Sequence, residues 1–150
     1  MSADALPAPP RTFGKERRLV RRADFLRVQA STHRVATSSY VLLVAPRPEP
    51  LRESLPARLG LTVGKKVGHS PDRNRVKRVF RELFRLWPAP GLVPAGFDLV
   101  VIARAGAPRL GLAEARAEVQ KVARLLAKRC EESLSALAKA PAAPHVPARA

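Results

Sequence analysis

Apolar positions along this chain repeat with two different periods. Residues 58–64 (RLGLTVG) alternate, with Leu59, Leu61 and Val63 on one side, which predicts a strand with a single buried face. Residues 97–104 (FDLVVIAR) form an unbroken, short, β-branched run, which predicts a central strand. The segment VATSSYVLLV within 33–45 predicts one long bent strand or two short ones. Elsewhere the period is helical. Over 71–87, Val76, Val79, Phe80, Leu83, Phe84 and Trp87 recur at i, i+3, i+4 and i+7. Ser70 as N-cap, Pro71 in the first turn and Pro88 just beyond the end bound that helix. A longer helix is predicted from about Leu112 to Ala138, with Ala115, Val119, Val122 and Leu126 as its buried seam. Glu114 near its start and Lys128 and Arg129 near its end suit the helix dipole. A short helix over 22–30 places Phe25 and Val28 together. The order helix, strands, strand, helix, strand, helix predicts an α+β fold, a layer of helices against a small sheet.

The flanks carry no such period. Residues 1–12 and 140–150 are rich in alanine and proline, have little to bury, and are expected to be disordered tails. That leaves one folded domain over 13–139. A Pro-rich stretch at 45–57 is expected to be a surface loop between strands. No run approaches 18 apolar residues, so no membrane span is expected. The N-terminus lacks the apolar core of a secretory signal, which points to the cytoplasm. The single cysteine, Cys130, excludes an internal disulfide framework.

Charge changes the picture most. Against 28 Lys and Arg stand 12 Asp and Glu, a formal net charge of +16. Residues 11–36 and 64–85 each hold eight basic and two acidic side chains, so most of the excess sits in two windows. Repulsion of this kind makes sense against a polyanion, and the localisation reads as basic patches that contact nucleic acid.

The second window carries the sharper signal. In a helix, Asn74, Lys77, Arg78, Arg81 and Arg85 share the face opposite the apolar stripe. Successive turns present guanidinium forks at intervals of ~5–6 Å, suited to phosphate oxygens. Lys65 and Lys66, ahead of a glycine and close to the helix N-terminus, add charge where backbone N–H groups favour a phosphate. Asp72 and Glu82 are too few to pair these cations along the helix.

GLTVGKK followed by RNRVKR, with FRELFR continuing the helix, resembles the protein component of bacterial ribonuclease P. Lys65, Lys66, Arg73, Asn74, Arg75, Lys77, Arg78 and Arg81 occupy the motif, and RLVRRADFLRV and FDLVVIAR resemble flanking elements of the family. The resemblance covers roughly 14–132. It implies an α/β sandwich like that of a ribosomal protein, with a small mixed sheet and a left-handed strand–helix–strand crossover. It also implies that the basic helix docks on a catalytic RNA, and that a cleft beside the first helix receives the 5′ leader of precursor tRNA. By position that cleft would take Phe25, Gln29, Val41 and Leu43. Gln29 stands where the family usually has a second aromatic, and Thr32 where a glycine is common. Hydrolysis of the leader would fall to the RNA with Mg2+ bound mainly by it, and no protein partner would be required.

Absences in the sequence fit that division of labour. A protein nuclease needs clustered carboxylates for metals or a histidine acid/base pair. His33, His69 and His145 fall in a predicted turn, a loop and a tail, and no histidine lies near Cys130 in sequence. Of the seven aromatics, Phe13, Phe25 and Tyr40 lie off the helical stripe and the central strand, too few for an aromatic RNA platform. Tyr40, in an apolar strand, reads as core. The runner-up function is a structural RNA-binding protein such as a ribosomal component. A DNA-reading helical module fits less well, because a buried strand and not a second recognition helix follows the basic one.

Overall fold

The computed structural model describes residues 13–139, and both expected tails lie outside the described residues. In chain order the elements are α1 (Arg22–Gln29), β1 (Arg34–Ala36), β2 (Tyr40–Pro46), β3 (Arg58–Thr62), α2 (Ser70–Leu86), β4 (Phe97–Ala103), α3 (Leu112–Gln120) and α4 (Ala123–Lys139). The four strands form one mixed sheet in the order β1-β2-β4-β3. β1–β2 and β2–β4 are antiparallel, while β3 and β4 run parallel and are joined through α2. The fold is α+β, as the element order predicts.

Strand alternation divides the core in two. Tyr40, Leu42 and Val44 of β2, Leu99 and Val101 of β4 and Leu59 of β3 face α2, α3 and α4 in the larger cluster. Leu43 and Val100 face the other way and meet Leu19 and Val28 beneath α1. Being covered on both sides explains the unbroken apolar run of β4, since Phe97 through Val101 are all buried. It also conceals a charge, because Asp98 within that run is fully buried.

Of the two forms expected over 33–45, the chain takes two short strands, joined as a hairpin that turns at 37–39. Other boundaries differ from expectation. β3 stops at Thr62, two residues short of the alternating pattern. The predicted 112–138 helix is two helices, broken at 121–122, where Val122 N–H donates back to the Val119 carbonyl. The cause is tertiary. Residue Ala115 and residue Val119 pack toward α2, whereas α4 lies along β1 and β2. The Glu118 carboxylate holds the hairpin by accepting from the Ser39 N–H (2.7 Å) and from the Thr37 and Ser39 hydroxyls. A straight helix would not serve both surfaces.

The Pro-rich loop is more ordered than a surface connection. Arg47 is buried, pairs with both Glu49 oxygens (3.1 and 3.2 Å) and donates to the Pro56 carbonyl (2.9 Å). Its backbone N–H reaches the Gly96 carbonyl, and the Gly96 N–H returns to Leu55, so the loop is laced to the turn before β4.

Candidate nucleic-acid interface

α2 forms because its apolar stripe has a place to go. Val76, Phe80, Leu83 and Phe84 are buried against the sheet, and Phe80 meets Tyr40 edge-on at 5.0 Å. Burial of four such side chains contributes about 1.5–3 kcal/mol each, enough to fix which side of the helix faces solvent. The N-cap is His69 and not Ser70: Arg73 N–H bonds the His69 carbonyl, and Ser70 is already helical. The Ser70 hydroxyl instead accepts from Arg73 Nη2 at 3.1 Å. Gly68 makes the turn into the helix at φ 153°, where a Cβ would lie 2.6 Å from the Asp72 carboxylate.

The opposite face is basic and largely free. Asn74, Arg75, Arg78 and Arg81 are exposed, as are Lys65 and Lys66, while Arg73, Lys77 and Arg85 are half-buried. Arg85 pairs with Glu82, and Arg75 Nε donates to the Pro108 carbonyl at 3.2 Å. Among the described residues Lys65, Lys66, Asn74, Lys77, Arg78 and Arg81 make no side-chain hydrogen bond or ion pair, so their donors remain available to an incoming anion.

The first basic window lies against the second, which the sequence did not indicate. The segment from Phe13 to Leu19 crosses the open edge of β3. Phe13 packs edge-on against Phe84 of α2 (5.9 Å), Leu19 N–H donates to the Leu59 carbonyl (2.9 Å), and Leu19 is buried on the α1 side. Arg17 lies over the Phe84 ring at 5.1 Å and Arg18 over the Phe13 ring at 5.6 Å. Burial depresses the Arg81 guanidinium below its ordinary range, and neighbouring Arg18 depresses it further. Arg17 is lowered chiefly by burial; Glu16 opposes the shift and Arg85 adds to it. Cations from both windows therefore crowd one side of the molecule.

Beside this surface lies α1. Phe25 stands with its Cε1–Cζ edge on Gly60, where a Cβ would come within 2.6 Å of the ring, so only glycine admits it. Gln29 Nε2 donates to the Thr62 hydroxyl at 3.1 Å. Val41 is half-buried on the same sheet face. Leu43 is fully buried with Val28, so it supports the cleft floor and does not line the cleft, a correction to its expected place. The helix is tied down by Asp98. That carboxylate accepts from Arg58 Nε and Nη2 (both 2.8 Å) and from Arg27 Nη2, while Arg27 Nη1 donates to the Pro46 carbonyl (3.0 Å). Asp24 adds contacts at 3.4 Å to Arg27 and 3.8 Å to Arg58. The hydrogen bond to Asp98 raises the Arg58 pKa. Sequence reasoning singled out Phe13 only as an aromatic off the helical stripe, and missed Arg18, Arg27, Arg58, Gly60 and Asp98, none of which carries a local motif.

His33 is half-buried and His69 exposed. Cys130 is buried, and that burial pushes its thiol up to about 12. Tyr40 is fully buried and pushed up to about 12 for the same reason, so it belongs to the core. No group of three His, Cys, Asp or Glu among the described residues could hold a metal. The acidic pair nearest the cleft, Asp24 and Asp98, is engaged by arginines and does not fit a magnesium ion. No helix among the described residues is long and apolar enough to cross a membrane.

Comparison with known proteins gives one family. A family model described as Ribonuclease P matches residues 13–127. A ribonuclease P protein component from Azotobacter vinelandii is 41% identical over 119 residues, covering 79% of this chain and 86% of the relative. One from Desulforapulum autotrophicum is 33% identical over 111 residues, covering 74% and 89%. Among solved structures, the Staphylococcus aureus RNase P protein aligns with a TM-score of 0.61 at 28% identity, over 73% of this chain and 94% of that one. The Thermotoga maritima RNase P protein aligns with a TM-score of 0.58 at 29% identity, over 72% and 96%.

Proposed function

Because this chain belongs to the ribonuclease P protein family, we propose that the basic face of α2 docks on the catalytic RNA of that enzyme and that α1 contacts the 5′ leader of precursor tRNA. The chain is the protein component of a ribonuclease ribonucleoprotein. Within it, Lys65, Lys66, Arg73, Asn74, Arg75, Lys77, Arg78 and Arg81 supply phosphate contacts. Phe25, Gln29 and Val41 lie along the leader path above Leu43. The RNA subunit holds the magnesium ions and cleaves the leader; the polypeptide binds, orients and neutralises charge.

One observation carries the reading: a helix whose apolar stripe is buried presents unpartnered cations to solvent, next to a half-buried aromatic on α1. Charge-assisted bonds from such groups are the main source of RNA affinity. The ribosomal-component reading is not favoured, since the matched relatives and structures are ribonuclease P proteins.

Purifying the tagged protein from its host and sequencing the associated RNA tests this directly. Enrichment of ribonuclease P RNA and precursor tRNA is expected. Stoichiometric ribosomal RNA in their place would overturn the proposal.

A further inference from the structure

The sheet has a second end, away from the first turns of α2. β3 runs from Arg58 to Thr62 and on into 65–73, while Arg58 lies beside Asp98 at the start of β4. At that start is an apolar cavity of about 260 Å3, walled by Phe97 on one side and by Cys130 and Leu134 of α4 on the other. Arg52, Glu53 and Glu131 also line it, and the first two directly follow Leu51 in the chain. We propose that two copies of this chain pair through this face, each placing Leu51 in the other's cavity. Pairing is independent of the RNA-binding role and leaves the cations of 65–78 free on both copies.

Leu51 is held out as a knob. Its side chain is 79% exposed, and its backbone is left-handed at φ 56°, a conformation that a leucine adopts only under constraint. The loop supplies the constraint. The Leu51 carbonyl accepts from the Ser54 N–H (3.0 Å) and the Ser54 hydroxyl (2.8 Å), and Arg52 Nε donates to the Arg47 carbonyl (2.7 Å). Within one copy the strained residue only carries an apolar side chain into water. The face around it offers a complement. Leu134 on the cavity wall is 38% exposed and Leu137, on the next turn of α4, is 48% exposed, so knob, cavity and helix stripe add up to more than scattered surface leucines. The charges are self-complementary as well. Among the described residues Glu53 and Glu131 make no ion pair, and Arg52 has no carboxylate partner. Across a twofold axis each Arg52 meets the other copy's Glu131. Because knob and cavity belong to one surface, the contact is isologous and closes at two copies.

Sedimentation velocity of the full-length, RNA-free chain at physiological salt, from about 1 to 100 μM, reads the oligomeric state. Wild-type protein should pass from monomer to dimer within that range. Leu51→Asn removes the apolar knob while tolerating the left-handed backbone, so it should raise the dimer dissociation constant roughly tenfold or more without lowering Tm. Arg52→Glu and Glu131→Arg should each weaken pairing, and the two together should restore it, which a merely structural effect of either change would not do. Wild-type protein that stays monomeric throughout, or a dimer indifferent to Leu51→Asn, overturns the proposal. So does a monomer whose Cys130 gains reactivity toward a maleimide only when residues 140–150 are removed, since the cavity would then belong to the chain's own C-terminus.

Discussion

Replacing Asp98 by asparagine removes one negative charge and almost no volume from the base of the α1 layer. The side chain is fully buried and accepts from two arginines, so the variant leaves a neutral amide facing two guanidinium groups. Loss of one partner from a buried pair costs about 3–5 kcal/mol. Arg27 and Arg58 keep 30% and 15% of their side-chain surface exposed and can recover some hydration, which places the cost near the lower limit. With an unfolding entropy of ~2.1 cal/mol/K per residue over roughly 130 residues, 3 kcal/mol corresponds to a fall in Tm of about 10 °C. Thermal melts by circular dichroism at neutral pH measure it, and a double-mutant cycle with Arg58→Gln isolates the coupling. A Tm within 2 °C of wild type, or strictly additive variants, would refute the reasoning. The effect should extend to function selectively. α1 carries Phe25 and Gln29, so affinity for leader-bearing precursor should fall while docking through α2, which does not touch Asp98, persists.

Other outcomes follow from the same geometry. Arg78→Ala removes an exposed, unpartnered cation, so binding to the catalytic RNA should weaken with the log–log salt slope reduced by about one; an unchanged slope counts against α2 as the docking face. Arg75→Ala should do the same and also lower stability slightly, because Arg75 ties α2 to the Pro108 carbonyl. Gly60→Ala puts a methyl group into the Phe25 ring edge, so leader-dependent affinity should fall by more than affinity for catalytic RNA; equal losses would show that Phe25 does not depend on this seat. The Arg47 hydrogen bond lowers the Glu49 pKa to about 2, against an unfolded value near 4.5. A depressed carboxylate contributes stability that is present above the unfolded pKa and lost as pH falls toward 2. Glu49→Gln should flatten the decline of Tm between pH 4.5 and 2, and parallel curves for both proteins would contradict the pairing.

What could be read from the chain was whatever local chemistry writes into short windows. The β3–α2–β4 unit was legible because alternation, helical period and bounding prolines each act within a few residues. The basic face of α2 was legible for the same reason, since its cations lie opposite a stripe that has to be buried. Asp98 was hidden inside an apolar run, and its partners follow only from the parallel register that sets Arg58 beside it. The break between α3 and α4 has no glycine or proline to mark it; it comes from packing against two different surfaces. Phe13 and Arg18 meet Lys77 and Arg81, far apart in sequence and brought together where the N-terminal segment crosses the β3 edge. The seat of Phe25 likewise needs Gly60, a strand residue whose neighbour across the layer cannot be read from alternation.

The central claim is that this polypeptide assists an RNA catalyst and does not cleave by itself. Its most direct test is a magnesium titration of precursor tRNA cleavage by bacterial ribonuclease P RNA, with and without the protein. The protein should leave no cleavage when the RNA is omitted, and should raise kcat/KM most at low magnesium by neutralising phosphate repulsion and holding the leader. Unchanged cleavage at every magnesium concentration, or 5′-end processing by the protein without the RNA, would contradict the account.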